Sequence, residues 1–319
     1  MKITFLDADT LGKDISLEKF NILGEVEIYG FTTAEQALER TKNSDVIITN
    51  KVLMNESTLG SNPNARLICI TATGTNVVDF DFATKQGITV TNVKSYSTDS
   101  VVQHTFALMF YLIERLRYYD DYVKLGKYAN DTLFTHFENK YNELSGKTWG
   151  IIGLGEIGKN VARIAESFGC KVIYYSTSGN NSNPDFTQVD FNTLLSKSDI
   201  ISIHAPLNPA TNNLFTFETF RKMKKTSILI NVGRGPIINE GDLVKALEEN
   251  EIAGAGLDVL SVEPMEKKNP LLTFKDSSRL IITPHIAWAS IEARNRLVEE
   301  VYKNIEAYMN GEERNRVNP

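Results

Sequence analysis

The chain predicts an α/β protein made of parallel sheets covered by helices, and three observations carry that expectation. Short apolar runs alternate with helically spaced patterns from one end to the other. One junction between such runs holds Gly153-Leu154-Gly155-Glu156-Ile157-Gly158, a glycine loop between an apolar run and a helical pattern. At 319 residues the chain exceeds what one typical core supports, so two domains are expected.

In the first hundred residues the apolar runs place strands near 3–6, 26–29, 46–49, 67–70 and 88–91, with helices such as 34–41 and 80–86 between them. The rhythm resumes with strands near 149–152, 171–175, 200–203, 228–232, 254–257 and 280–283. Between the two series, 101–117 reads as one helix that is apolar almost all round (Val101, Val102, Phe106, Ala107, Leu108, Met109, Leu112), a pattern of helices buried between layers. Aromatic residues follow: Tyr118, Tyr119, Tyr122, Tyr128, Phe134, Phe137 and Tyr141. Exposed, they would form a large apolar patch, so a subunit interface is favoured over a segment packed on its own domain.

Around the glycine loop each position has a physical task. The run 149–152 reads as a buried strand, and Val161, Ile164, Ala165 and Phe168 recur at helical spacing after it. Gly153 permits a tight turn, Gly155 lets the backbone approach a pyrophosphate, and Gly158 allows close helix–strand packing. The helix N-terminus adds free N–H groups and positive dipole. A dinucleotide ligand is the expectation.

Composition excludes several classes. A net charge of −6 and a pI near 5.4 give no footprint for nucleic acid. No apolar run is long enough to span a membrane, and the N-terminal apolar stretch is too short for a signal peptide. Cys69 and Cys170 sit in apolar runs as buried free thiols would, which fits a reducing, cytoplasmic setting. With four histidines and no C-x-x-C pair, no metal site is expected.

Three polar residues stand out beyond the loop: Arg234 in Asn231-Val-Gly-Arg-Gly, Glu263 before Pro264, and His285 behind Pro284. Singly, each is explained as an ordinary loop residue. Each nevertheless falls past the C-terminal end of an expected strand, as the glycine loop does, and ligands of parallel sheets bind outside that edge. A carboxylate beside a histidine fixes its tautomer and favours its protonated form, while a guanidinium forks onto a carboxylate. An anion clamp, a proton donor and a residue holding the donor suit hydride transfer to a 2-oxo acid.

At these residues the chain resembles the D-isomer-specific 2-hydroxyacid dehydrogenase family over nearly its full length. The matching pieces are Thr71-Ala-Thr-Gly-Thr-Asn-Val-Val-Asp79, Ser97-Thr-Asp-Ser-Val-Val-Gln-His-Thr105, the glycine loop, Asn231-Val-Gly-Arg-Gly235, the Asp258 to Pro264 run and Pro284-His-Ile-Ala-Trp288. The resemblance implies a Rossmann cofactor domain (99–289) inserted in a flavodoxin-like substrate domain (1–98 and 290–319). A hinge near Thr98 and Ala289 would close the two over the substrate. It also implies that His285 is the general acid/base, paired with Glu263. Arg234 would bind the substrate carboxylate, helped by Thr73, Gly74 and Asn76. Asp258 would meet the nicotinamide, Glu156 and Ile157 the pyrophosphate, and Ala205, Pro206, Val232 and Gly233 the cofactor cleft.

Within the family, the Ser-Tyr-Ser-Thr-Asp-Ser run, Trp288 beside the histidine and Thr49-Asn-Lys51 resemble the glycerate dehydrogenase and hydroxypyruvate reductase group. Trp288 would then line the substrate site, and Lys51 would either reach the substrate or stay solvated. A homodimer acting on a small 2-oxo/2-hydroxy acid is the expectation. A nucleotide-sensing protein on the same scaffold is the alternative, and nothing in the sequence favours formate oxidation.

Two positions depart from the family pattern. Gln103 stands where many relatives carry glutamate, a change expected to affect local hydrogen bonding. Ser176 stands where an acidic residue would hold the adenosine ribose, with no carboxylate until Asp185 and no Arg or Lys between Lys171 and Lys197. The missing cation favours NAD, with NADP left open.

Overall fold

The computed structural model describes residues 1–60 and 62–319. It divides into two compact units, Met1–Ser97 with Ala289–Pro319, and Thr98–Trp288.

The first unit begins with β1 (Lys2–Phe5), β2 (Glu25–Ile28), α1 (Ala34–Thr41), β3 (Val46–Thr49), α2 (Glu56–Leu59), β4 (Leu67–Ile70), α3 (Phe80–Lys85) and β5 (Thr89–Thr91). Among the described residues its strands form a parallel five-stranded sheet in the order β2-β1-β3-β4-β5, the flavodoxin-like arrangement. β3 and β4 are buried at every position, as central strands of a sheet covered on both faces must be. The loop after β3 is held by Asp7, whose carboxylate accepts from the amides of Asn50 at 2.9 Å and Lys51 at 2.7 Å. Burial pushes the Asp7 carboxyl above its ordinary value, and these amide bonds offset only part of that rise.

In the second unit the expected single helix over 101–117 is two helices, α4 (Thr98–Ile113) and α5 (Leu116–Lys124). Arg115 between them takes a left-handed φ of 55°. The break falls where burial ends: Leu112 is the last fully buried side chain of α4, and α5 has none. Then come β6 (Thr148–Ile152), α6 (Glu156–Ser167), β7 (Lys171–Tyr175), β8 (Thr187–Gln188), α7 (Phe191–Lys197), β9 (Ile200–Ile203), α8 (Phe217–Phe220), β10 (Ile228–Asn231), α9 (Glu240–Glu248), β11 (Gly254–Leu257) and β12 (Leu280–Ile282).

Among the described residues these strands form a parallel seven-stranded sheet, β12-β11-β10-β9-β6-β7-β8. The order reverses between β6 and β9, which pair from Trp149↔Ile200 to Ile152↔Ile203. Chains leaving those two strands diverge and open a crevice at their carboxyl ends. On one face α4 and α6 pack Val101, Phe106, Leu108 and Val161 around Trp149, which is fully buried. On the other, α7 and α9 bury Leu194, Leu243 and Leu247 against Ile201 and Leu229. Both faces of the sheet are thus covered, and its carboxyl edge stays open to a ligand.

The chain ends in α10 (Ile291–Met309), which belongs to the first unit. Leu297, Val301 and Ile305 are its buried stripe, Arg294 clamps Asp14 through both terminal nitrogens at 2.6 and 2.9 Å, and Asn304 donates to the Asn92 carbonyl at 3.1 Å. Among the described residues no helix is long and apolar enough to cross a membrane. Both cysteines are free and buried, and burial raises the Cys69 thiol to about 12.

Candidate active site

The glycine turn follows directly on β6. Gly153 takes a φ of +88°, and a Cβ there would lie 2.9 Å from the Ala205 backbone, so only glycine fits. A Cβ on Gly158 would overlap the Gly153 carbonyl, which is why the first turn of α6 can sit so close to the strand. Gly155, at the N-cap of α6, has open space where its side chain would be. The loop is therefore shaped from within by two glycines and left bare by the third. The first-turn amides of α6 have no intrahelical acceptor, and with the helix dipole they suit a pyrophosphate.

Ser176 follows β7, and its hydroxyl accepts from the Asn181 amide at 3.3 Å. The Asn181 side chain in turn donates to the Leu154 carbonyl at 2.7 Å, tying the segment after β7 to the glycine loop. Ala205 is buried at the end of β9 with Pro206 exposed beside it, and Val232 is buried past β10 with Gly233 half-buried. These positions frame the β6/β9 crevice and fit an extended dinucleotide.

His285 and Glu263 meet. The imidazole Nδ1 lies 2.7 Å from Glu263 Oε2, and Glu263 Oε1 accepts the Leu260 amide at 2.9 Å. A carboxylate only accepts, so Nδ1 carries the proton in the neutral ring and Nε2 keeps its lone pair. Arg234 is exposed and has no ion-pair partner among the described residues; its guanidinium donates from Nη1 to the neighbouring Gly233 carbonyl at 2.7 Å. Its loop is braced by Asn231, wholly buried, which donates to the Arg234 carbonyl at 2.9 Å and accepts from Gly233 at 3.0 Å. The Arg234 and Glu263 loops touch: a Cβ on Gly235 would overlap the Leu260 carbonyl. Glu240, in the first turn of α9, holds the second loop from behind through the Ser261 amide at 2.7 Å and Asn269 Nδ2 at 2.7 Å.

Asp258 is not exposed at this edge. It is 1% accessible, and its carboxylate accepts the amides of Ile286 at 2.9 Å and Ala287 at 2.8 Å and the Thr283 hydroxyl at 2.6 Å. Burial alone would raise this carboxyl, but bonds from His104, Thr283, Ala287 and Ile286 hold it below its ordinary value. Its carbonyl also accepts the His285 amide at 2.8 Å. His285 stands at a φ of 55°, a costly conformation for a residue with a Cβ, and these bonds maintain it.

Trp288 is half-buried against the core around Trp149. In the first unit Thr73 and Asn76 are exposed and Gly74 is half-buried. Their loop is fixed by the Thr73 hydroxyl donating to the Val93 carbonyl at 2.8 Å and by Asn92 Nδ2 donating to the Thr73 carbonyl at 2.8 Å. The Lys51 side chain is exposed. Sequence reasoning passed over Asn231, Glu240, Asn181 and His104. Only His104, a titratable residue on a predominantly apolar helix, left a signal that could have been followed.

Residues 106–287 match the family described as D-isomer specific 2-hydroxyacid dehydrogenase, NAD binding domain. The chain is 38% identical to the glycerate dehydrogenase of Methylorubrum extorquens, over 98% of each protein. It is also 38% identical to the hydroxypyruvate reductase of Blautia hydrogenotrophica, over 100% of both. The solved structure of an acyclic imino acid reductase in complex with NADPH and D-Arg superposes with a TM-score of 0.88 at 31% identity, covering 99% of this chain and 100% of that one. The family match over residues 106–287, and relatives alike over nearly the full length, show that the chain belongs to the D-isomer specific 2-hydroxyacid dehydrogenases.

Proposed function

We propose that the chain reduces a small 2-oxo acid, hydroxypyruvate or glyoxylate, to the D-2-hydroxy acid. The observation that carries this reading is the 2.7 Å pairing of His285 with Glu263 beside a loop whose arginine has no internal acid. The substrate preference follows relatives named for glycerate and hydroxypyruvate.

The nicotinamide cofactor supplies the hydride when bound. Gly153, Gly155 and Gly158, the first turn of α6 at Glu156 and Ile157, and Ser176, Ala205, Pro206, Val232 and Gly233 are assigned to hold it. His285 Nε2 delivers a proton to the carbonyl oxygen as the carbonyl carbon is reduced, and takes it back in the reverse direction. Glu263 holds the ring in the required tautomer and stabilises it while charged. Arg234 grips the substrate carboxylate through its planar fork. The first unit is assigned to the substrate, through Thr73, Gly74, Asn76 and Lys51. Trp288 is assigned to the substrate's side chain.

The hydroxyls at Ser176-Thr-Ser178, with no Arg or Lys between Lys171 and Lys197, favour NAD over NADP. A homodimer is supported by the segment after α5, where Leu133, Phe134 and Phe137 stand 63%, 90% and 69% exposed.

Steady-state rates with NADH and NADPH against hydroxypyruvate, glyoxylate and pyruvate, followed by cofactor absorbance, test the reading. Turnover of the first two with NADH is expected. Cofactor binding with no turnover of any 2-oxo acid would replace it with a nucleotide-sensing role.

A further inference from the structure

A second histidine–carboxylate cluster lies in the same unit, at the base of the loop that carries His285. His104, on α4, places Nε2 2.9 Å from Thr283 Oγ1 and 3.4 Å from Asp258 Oδ1. The Thr283 hydroxyl has one proton, and at 2.6 Å from Asp258 Oδ1 that proton goes to the carboxylate. The hydroxyl must then accept from His104, so His104 carries its hydrogen on Nε2. A single chain of donors, His104 to Thr283 to Asp258, is thereby fixed in direction.

Asp258 is also the acceptor for the amides of Ile286 and Ala287. One turn earlier on α4, Ser100 donates to the Ala287 carbonyl at 2.6 Å. The helix therefore holds the 283–287 loop at both ends, and in its middle sits His285 with its left-handed backbone. A strained residue keeps such a conformation only while its surroundings over-determine it.

We propose that His104 is a positioning residue for His285, its Nε2–H locking Thr283 onto Asp258 and so fixing the loop that carries the acid/base. The inference rests on the role given to His285 above. His104 never touches the reacting atoms in this scheme. Its contribution is the orientation of the loop, and small misplacements of a proton donor are costly in rate.

The test compares His104→Leu, which removes the donor, with His104→Gln, which returns an N–H near the same place. With hydroxypyruvate and NADH, H104L lowers kcat about tenfold or more, leaves the Kd for NADH within about twofold, and H104Q recovers most of the rate. Hydrogen exchange at the amides of His285, Ile286 and Ala287 rises in H104L and stays low in H104Q, whether or not any substrate is turned over. The inference is overturned by an H104L kcat close to that of the unaltered enzyme, by an H104Q as slow as H104L, or by unchanged exchange at the loop. An unaltered enzyme that reduces no 2-oxo acid, with exchange responding as described, removes the proposed function and leaves the loop-locking intact.

Discussion

Gly235 and Leu260 are in backbone contact so close that no side chain fits between them. The contact joins the loop of Arg234 to the loop of Glu263, whose carboxylate is itself bonded to the Leu260 amide. Gly235→Ala must push the two loops apart, because the obstructing atoms are main chain and cannot rotate away. The expected result is about 1–3 kcal/mol of lost stability with a fall in kcat/KM. Thermal unfolding and steady-state rates on the same preparation check both, and a variant with native values would refute the coupling.

Replacing the imidazole isolates proton transfer from binding. His285→Ala should lower kcat by roughly 10²–10⁴-fold while the Kd for NADH, measured by fluorescence titration, stays close to that of the unaltered protein. Residual turnover near the native rate would remove His285 from the chemistry.

For Arg234 the shape of the cation is at issue as much as its charge. Arg234→Lys keeps the charge and loses the fork, so KM for the 2-oxo acid should rise by about tenfold with a smaller change in kcat. An unchanged KM would place the substrate carboxylate elsewhere.

Cofactor choice is tested at the end of β7. Ser176→Asp introduces a carboxylate that bonds ribose hydroxyls and repels a 2′-phosphate. The ratio of kcat/KM for NADH to that for NADPH should increase. A ratio that does not move would mean that Ser176 lies away from the adenosine ribose.

Acid stability follows from Asp258. Its carboxyl is held below the ordinary 3.8, so it contributes stability that is complete above that value and is lost as the pH falls through its lower folded value. Asp258→Asn should lower the unfolding temperature near neutral pH, and should reduce its decline on acidification. Parallel melting curves with the same slope against pH would contradict the assignment. His204 provides an internal contrast: burial lowers it to about 3, so it stays neutral across the range in which the enzyme would be assayed.

Much of this arrangement is legible in the sequence because it is local. The runs 46–49, 67–70, 171–175, 200–203 and 254–257 coincide with β3, β4, β7, β9 and β11, predominantly apolar stretches in the interior of sheets. The two-residue β8 is too short to leave a pattern. The break between α4 and α5 at Arg115 carries no Gly or Pro, and only the loss of packing beyond Leu112 explains it. At the site, Arg234, Glu263 and His285 are readable because they follow strands, and the His285–Glu263 pairing follows from their chemistry. The burial of Asp258 and the bracing by Asn231 and Glu240 join elements far apart in sequence, so composition and spacing hold no trace of them, and of His104 they show the residue without its partners.

The left-handed backbone at position 285 is kept by amides, a carboxylate and a hydroxyl that belong to other residues. The ring's own bond runs to Glu263 instead. Position 285 is thus a socket whose shape outlasts its occupant. Asparagine or aspartate, which tolerate this conformation, should seat there without collapse, whereas valine or isoleucine should not. A designer seeking new chemistry on this scaffold inherits a mount already aligned, and needs only to choose what to place in it.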